Sequence, residues 1–300
     1  MSVKNVASDA YMRSFDQIEV RIDPEYGILW VYQKPSPRPC FNPALIAEVR
    51  SVQLMLESYD GRLPFQGRLV PIHYHVLDSK TPGIFSMGGD LDLFRDHVIR
   101  RDKDGLLRYA KSCIDTIHNF IVGFRLPITT VSLVRGDALG GGFEVALSGH
   151  VVIAEEQVEM GFPEILFNIF PGMGGYHLLC QRLPVVQVEK MMLSGRRYGA
   201  PELHQMGVVD VLAGAGRGEQ ALYRFVEENR KHRNGYLALQ QVRRTVHPVS
   251  YEALMGVCAY WAEVTMGITD RDLKLMERLV RAQDRKAAAF QPGREQRSTA

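Results

Sequence analysis

The sequence predicts an α/β core that is followed by a helical C-terminal region, on two observations. Segments of β type and of helical type alternate up to about residue 212, which is typical of layered α/β folds. From Glu219 onward the pattern is helical throughout, and apolar residues near its end recur at the spacing of one helix face. This stripe consists of Leu273, Met276, Leu279 and Val280.

The composition indicates a globular chain of one or two domains. Its 300 residues are 46% apolar and 23% charged, which excludes a largely disordered or collagen-like chain. A chain of this length buries roughly three-quarters of its unfolded surface, so its core needs no disulfide or metal. We expect a flexible arm at 1–17, an α/β core at 18–212, a helical region at 213–290 and a disordered tail at 291–300.

The predicted strands are rich in β-branched and aromatic residues. The first two, IEVRI and GILWVYQ, flank a turn at 23–27, and TTVSLV has the character of a buried strand. Three prolines between residues 35 and 39 keep the stretch after the second strand extended. The predicted strands cover residues 18–22, 27–33, 71–77, 129–134, 150–155 and 207–212.

Three helices are predicted before the C-terminal region. Asn42 and Pro43 mark the start of the first, because proline suits the first turn of a helix. The second has apolar residues at spacings of three and four, from Leu106 to Phe120, and the third follows a run of glycines. The predicted helices cover residues 43–58, 105–124 and 143–150.

Charge and cysteine content exclude several partners and sites. The 36 basic and 34 acidic residues leave a net charge of +2, too weak for a nucleic-acid or membrane-surface footprint. No apolar run is long enough to span a bilayer, and the first residues lack the apolar core of a secretory signal. The wide spacing of Cys40, Cys113, Cys180 and Cys258 suits neither a zinc site nor a disulfide framework. We expect four buried thiols in a cytoplasmic protein.

Glycine-bearing segments mark a candidate site. Residues 84–90 and 136–144 each follow a strand, and a third segment runs from 160–164 to 171–175. Glycines let backbone N–H groups point inward with no β-carbon in the way, and two such loops together can hold a developing oxyanion. The simpler interpretation of either loop alone is a tight turn. Neither loop has the sequence of a phosphate loop or of a dinucleotide fingerprint.

Glu144 and Glu164 are the candidate acid and base residues. Glu144 follows the glycines in the first turn of a helix, and Glu164 follows Pro163 in an apolar stretch. A carboxyl group among apolar residues is poorly solvated, which raises its pKa, and two such groups can share a proton or a water molecule. The simpler interpretation of each is a carboxylate at a helix N-terminus. Their spacing in the sequence does not show that they meet.

Taken together, the segments resemble the crotonase (enoyl-CoA hydratase) superfamily. Its signature is a Gly-rich loop, then Gly-Gly-x-Glu, then Pro-Glu and a Pro-Gly-x-Gly-Gly turn. Three segments are similar to the diffusible signal factor synthases in particular: LGGGFEVALSGHVVIAEE, MGFPEILFNIFPGMGGYHLLCQRL and MERLVRAQDR. The resemblance extends from about Ile18 to Lys286.

The resemblance implies a spiral of ββα turns with two roughly perpendicular sheets, and C-terminal helices that trimerise and help cover the site. It implies Gly89 and Gly141 as the oxyanion donors, Glu144 and Glu164 as the catalytic carboxyls, and no metal or other cofactor. The simpler interpretation of two expected pocket residues, Met173 and Trp261, is as plain core. The full set expected to bind substrate is Gly88, Leu139, Gly140, Gly142, Met173, Trp261 and Leu275.

The implied substrate is a 3-hydroxyacyl thioester of acyl carrier protein, with coenzyme A as the other possible carrier. Dehydration followed by thioester hydrolysis releases a cis-2-unsaturated fatty acid that signals cell density. Met87 before the glycine pair and Phe143 before the first glutamate depart from ordinary crotonases and argue against short-chain hydration. The implied assembly is a homotrimer or a dimer of trimers. The alternatives are an enoyl-CoA hydratase or isomerase of fatty acid metabolism, and a weakly active regulator that binds a sensor kinase.

Other candidate sites have less support in the sequence. His73 and His75 lie on one strand face and form at most half a metal site. Ser148 is not in a nucleophile elbow. The basic stretch near the C-terminus is either a solvated helix face or a docking site for an acidic carrier protein. It consists of Arg278, Arg281, Arg285 and Lys286.

Overall fold

The computed structural model describes residues 14–289. The architecture is mixed α/β, with two main sheets and a hairpin followed by consecutive helices, which confirms the predicted fold class. Most of the arm predicted at 1–17 and the tail predicted at 291–300 lie outside the described residues.

A six-stranded sheet forms the centre of the core. Its strands, in spatial order, are β1 (Ile18–Asp23), β2 (Ile28–Gln33), β5 (Tyr74–Ser79), β7 (Thr129–Val134), β9 (Val151–Glu155) and β12 (Val211–Ala213). β1 pairs with β2 in antiparallel fashion, and the other neighbours are parallel. Apolar clusters cover both faces of the sheet, so every residue of the inner strands β2, β7 and β9 is buried. The edge strand β1 instead alternates buried or partly buried apolar residues with charged ones.

A second sheet consists of short strands. In spatial order these are β11 (Arg197–Gly199), β10 (Glu159–Gly161), β8 (Asp137–Leu139) and β6 (Ile84–Ser86). β10, β8 and β6 are mutually parallel, and β11 is antiparallel to β10. A hairpin of β3 (Arg62–Phe65) and β4 (Arg68–Pro71) forms a third, two-stranded sheet. The four strands of the second sheet and both hairpin strands were not predicted from the sequence, because three or four residues give too short an alternation to recognise.

Helices surround the two sheets and form the C-terminal region. Within residues 14–289, none of them is both long and apolar enough to cross a lipid bilayer. The α-helices are α1 (Pro43–Ser58), α2 (Leu91–Ile99), α3 (Lys103–Ile121), α4 (Gly141–Ser148), α5 (Gly175–Cys180), α6 (Val185–Ser194), α7 (Ala200–Gln205), α8 (Gly218–Arg230), α9 (Arg233–Val246), α10 (Tyr251–Met266) and α11 (Asp270–Ala289).

Local capping explains where the predicted helices begin. Asn42 caps α1 by accepting a hydrogen bond of 2.8 Å from the Leu45 N–H, with Pro43 in the first turn, as predicted. Asp90 and Asp102 cap α2 and α3 in the same way. The helix predicted at 105–124 therefore starts two residues earlier.

Several predicted boundaries were wrong. The strand predicted at 71–77 corresponds to β5, which begins only at Tyr74 and continues to Ser79, because Pro71 ends the preceding hairpin strand β4. The helix predicted at 105–124, α3, ends at Ile121, since Gly123 and Phe124 adopt φ values of 58° and 60°. The strand predicted at 207–212 begins only at Val211.

One thiol also differs from the prediction of four buried cysteines. Cys180, at the end of α5, is exposed, whereas Cys40, Cys113 and Cys258 are buried. The end of this short helix faces solvent, so its last residue needs no apolar environment.

Candidate active site

Three parallel strands of the second sheet bring the predicted site segments together. β6 leads to Gly88 and Gly89, β8 leads to Gly140 and Gly141, and the short β10 leads to Glu164. Because parallel neighbours end at the same edge of a sheet, these three connections lie side by side. The strands that the sequence did not reveal are therefore the ones that assemble the site.

The two glycine loops approach each other closely. A β-carbon on Gly88 would lie 3.1 Å from the Gly141 nitrogen, and one on Gly141 would lie 3.4 Å from the Gly89 nitrogen. Gly88 also has a φ of +93°, which favours glycine. Within residues 14–289, neither the Gly89 N–H nor the Gly141 N–H donates a hydrogen bond to the protein. Two unused donors thus lie beside each other, as an oxyanion hole requires.

Backbone contacts hold the first loop in place. The Phe41 N–H donates to the Gly88 carbonyl at 2.8 Å. Tyr109 of α3 adds a side-chain contact, because its hydroxyl donates to the Phe41 carbonyl at 2.5 Å and accepts from the Asp90 N–H at 3.3 Å. The sequence analysis missed Tyr109; its one signal is a hydroxyl on the apolar face of a predicted helix.

Glu144 is a buried carboxyl with two backbone donors. It lies in the first turn of α4 and is 1% exposed. Its Oε1 atom accepts hydrogen bonds from the N–H groups of Met173 and Gly175, each at 2.8 Å. Burial raises the pKa of Glu144 to about 7, and the two hydrogen bonds oppose that rise. The Pro-Gly-x-Gly-Gly turn therefore positions this carboxyl.

Glu164 is buried with less support. It opens a short 3₁₀ helix at Glu164–Phe167 and is 8% exposed. Within the described part of the chain, its Oε2 atom has no hydrogen-bond partner. Burial, and then the negative charge of Glu144, raise the pKa of Glu164 well above its usual range. The proton of the pair therefore resides preferentially on Glu164.

Both carboxyls and both loops line one largely apolar cavity. Of the expected pocket residues, Gly88, Leu139, Gly140, Met173 and Trp261 line it. Residues outside the predicted substrate-binding set complete the wall, and two of them, Met87 and Leu279, were noted in the sequence for other reasons. These additional wall residues are Met87, Leu91, Phe94, Tyr109, Ala110, Pro163, Phe167, Ile169, Phe170, Gly172, Arg197, Leu279 and Ala282.

Two expected pocket residues lie elsewhere. Leu275 packs on the core but does not line the cavity; Leu279, one turn later in α11, does. Gly142 is also absent from the wall, and a β-carbon there would lie 2.4 Å from the Ser86 carbonyl oxygen. Gly142 thus allows α4 to pack closely on β6. C-terminal helices do cover the cavity, through Trp261 of α10 and Leu279 of α11.

The remaining candidates stand apart from this cavity. No group of three metal-ligating side chains occurs within residues 14–289. His73 precedes β5 and is half-buried, whereas His75 lies within β5 and is fully buried. Arg281 forms an exposed ion pair of 3.6 Å with Glu277, so the docking role of the basic stretch remains a prediction.

Comparison with known proteins places the chain in a family. Residues 72–254, more than half of the chain, match the family described as enoyl-CoA hydratase/isomerase. A curated relative, the peroxisomal fatty acid beta-oxidation multifunctional protein AIM1 of Arabidopsis thaliana, is 29% identical over 134 residues. This match spans 45% of the present chain and only 18% of the length of that protein.

Solved structures share the fold. The enoyl-CoA hydratase from Bacillus halodurans has a TM-score of 0.72 at 16% identity, over 88% of this chain and 100% of that one. Pseudomonas aeruginosa DspI has a TM-score of 0.60 at 21% identity, over 89% of this chain and 90% of that one. The family predicted from the motifs is confirmed: the chain belongs to the enoyl-CoA hydratase/isomerase family.

Proposed function

We propose that this protein dehydrates a fatty 3-hydroxyacyl thioester of acyl carrier protein and then hydrolyses the thioester, releasing a cis-2-unsaturated fatty acid. The observation that supports this most is the pair of buried carboxyls, Glu144 and Glu164, in the same apolar cavity as two unused backbone donors. Dehydration and hydrolysis both develop negative charge on the thioester carbonyl oxygen, so one pair of donors can serve both steps.

The carboxyls take different roles in the dehydration step. The Glu144 carboxylate removes the proton at C2 of the substrate, and the electron pair moves onto the carbonyl oxygen beside Gly89 and Gly141. As the enolate collapses, the C3–O bond breaks, and protonated Glu164 supplies the proton with which the hydroxyl leaves as water. The pKa order supports this assignment, because the two hydrogen bonds to Glu144 favour its ionised form.

Hydrolysis reuses the same groups. A carboxylate removes a proton from a water molecule, and the water oxygen bonds to the thioester carbon. The tetrahedral oxyanion is held by the Gly89 and Gly141 N–H groups. When the C–S bond breaks, the carboxyl returns the proton that it took from water to the departing thiolate, so the carrier leaves as its thiol and the free acid remains.

Product analysis tests this proposal. We expect the protein to release free cis-2-dodecenoic acid from 3-hydroxydodecanoyl acyl carrier protein, as measured by mass spectrometry. Glu144→Gln and Glu164→Gln should each lower release by about a hundredfold or more, leaving only a residual rate. Undiminished release by either variant would contradict the role of that residue.

A hydratase or isomerase of acyl-CoA is the second candidate, and the family match favours it. It predicts rapid hydration of crotonyl-CoA with no release of free acid. If the protein hydrates crotonyl-CoA and leaves 3-hydroxydodecanoyl acyl carrier protein intact, this second function is correct.

We also propose an oligomeric state and a regulatory partner, and both rest on the same family resemblance. Sedimentation tests the homotrimer or dimer of trimers, and a monomer at micromolar concentration would contradict it. A pull-down with a sensor-kinase receiver domain, using the double glutamate variant, tests a binding role that is independent of catalysis.

A further inference from the structure

A second apolar cavity lies behind the active site. Its walls come from α1 and α3, with Ile46 and Ile117 among them, and from Leu77 of the central sheet. Met173 borders both this cavity and the catalytic one. The two spaces therefore adjoin at Met173.

Met173 is placed to control access between the cavities. Its N–H donates to Glu144, and its Cε atom lies where a β-carbon on Gly141 would be only 2.3 Å away. The side chain thus contacts the proposed oxyanion donor, beside the position of the thioester carbonyl. Methionine is unbranched and has several rotatable bonds, so rotation of its side chain can open a path without backbone movement.

The second cavity contains one polar side chain whose hydrogen-bonding capacity is unused. His75 is fully buried, and neither ring nitrogen has a partner within residues 14–289. Its ring packs against Phe120 and Phe124. Other polar groups in the wall are satisfied: Gln53 donates to the Thr116 carbonyl at 3.0 Å.

The protonation state of His75 indicates which ligand group fits. Burial lowers the pKa of His75 to about 3, so the ring is neutral. A neutral imidazole offers one donor and one acceptor, and a hydroxyl group can both accept and donate. An unpaired buried polar group is costly, so a ligand that pairs with His75 gains affinity over a plain alkyl chain.

We propose that the second cavity holds the far part of the substrate's acyl chain, reached past Met173, and that His75 selects chains with a hydroxyl group there. The ligand class is a medium or long acyl thioester that is hydroxylated near its tail. The inference rests on the proposed function only in that the substrate is a fatty thioester.

Filling the cavity tests the placement of the chain. For Ile117→Phe, we expect the ratio of kcat/KM for the dodecenoyl thioester to that for the crotonyl thioester to fall about tenfold, equivalent to ~1.4 kcal/mol. Ile114→Phe is the matched control, because Ile114 is equally buried in α3 but lines neither cavity; it should leave the ratio unchanged. An unchanged ratio in folded Ile117→Phe would overturn the placement.

A panel of ligands tests the role of His75. Calorimetry compares dodecanoyl-CoA with five analogues that carry a hydroxyl group on each of the last five carbons in turn. We expect at least one analogue to bind several-fold more tightly than the parent, with this gain lost in His75→Phe and retained in part in His75→Gln. No gain at any of the five positions would overturn the selection by His75.

Both tests remain decisive if the proposed function fails. Hydration of enoyl thioesters and binding of CoA analogues require no release of free acid, so failure to release acid leaves the chain-length ratio measurable.

Discussion

A β-carbon on Gly140 would lie 2.7 Å from the Oε1 atom of Glu164. The second glycine loop therefore sets the position of one carboxyl as well as presenting the Gly141 N–H. Gly140 also adopts a φ of 56° and a ψ of −128°, a conformation that residues with a β-carbon rarely take. The second glycine loop and the Glu164 carboxyl are thus in close contact, so a shift of one must move the other.

Gly140→Ala should disturb the contact between this loop and Glu164. We expect a loss of activity of about 100-fold, comparable to the loss of an oxyanion donor, because both Glu164 and the Gly141 N–H must shift. Gly216→Ala is the control. Gly216 has a φ of +69° with nothing within 4 Å of a β-carbon, so this substitution strains the backbone but brings no atoms into a clash. It should lower stability by about 1–2 kcal/mol at full activity. Equal activity in the two variants would contradict the close contact.

Stability should fall as pH rises across the range in which the buried glutamates ionise. The folded-state pKa of Glu144 is raised from 4.5 to about 7, so the folded chain holds this proton more tightly than the unfolded chain. Its contribution is complete below pH 4.5 and is lost toward pH 7, by at most ~1.4 kcal/mol per pH unit. Glu164, with its raised pKa, acts in the same direction and to higher pH.

Urea unfolding measures this dependence. The free energy of unfolding should fall less steeply with pH in Glu144→Gln and Glu164→Gln than in the wild type. Glu228→Gln, at an exposed position, should retain the wild-type slope. Parallel slopes in all four proteins would show that the two carboxyls ionise normally in the fold.

Activity should depend on the ionised form of Glu144 and the protonated form of Glu164. We expect kcat/KM to rise with pH through an apparent pKa of about 7, because the Glu144 carboxylate is the base. Residual activity of Glu164→Gln should keep this rise, and that of Glu144→Gln should lose it. The reverse result would exchange the two roles.

Tyr109→Phe should loosen the first glycine loop. Removal of the hydroxyl leaves the Phe41 carbonyl and the Asp90 N–H without this partner, which costs about 1–3 kcal/mol of stability. Because Phe41 also binds Gly88, we expect kcat to fall about tenfold with little change in KM, given the sensitivity of catalysis to misplacement. Tyr260→Phe, on an exposed face, should change neither quantity.

Sequence reasoning was most successful where patterns are long. The helix at 43–58 and the helices after Glu219 have enough residues to show their period, and the strand at 129–134 is marked by its β-branched residues. Local sequence context and motif resemblance both pointed to Glu144 and Glu164, although nothing local showed that they share a cavity. Their meeting depends on three-residue strands and on backbone φ values, which no side-chain pattern records.

Pocket residues were harder to predict for the same reason. Leu275 and Leu279 lie one turn apart in α11, yet only Leu279 lines the cavity. Tyr109 is one of the buried residues of α3. Its contact with Phe41 spans 68 positions of the chain, beyond the reach of local reasoning.

In the proposed reaction, two buried acids and two backbone donors meet around a thioester carbonyl. Difference infrared spectroscopy with a ¹³C-labelled carbonyl, on a dodecanoyl thioester bound to the inactive Glu144→Gln/Glu164→Gln variant, tests this arrangement most directly. We predict a carbonyl stretch at lower frequency than in water, because the Gly89 and Gly141 N–H groups polarise the bond. A bound carbonyl that absorbs at or above its frequency in water would contradict the account.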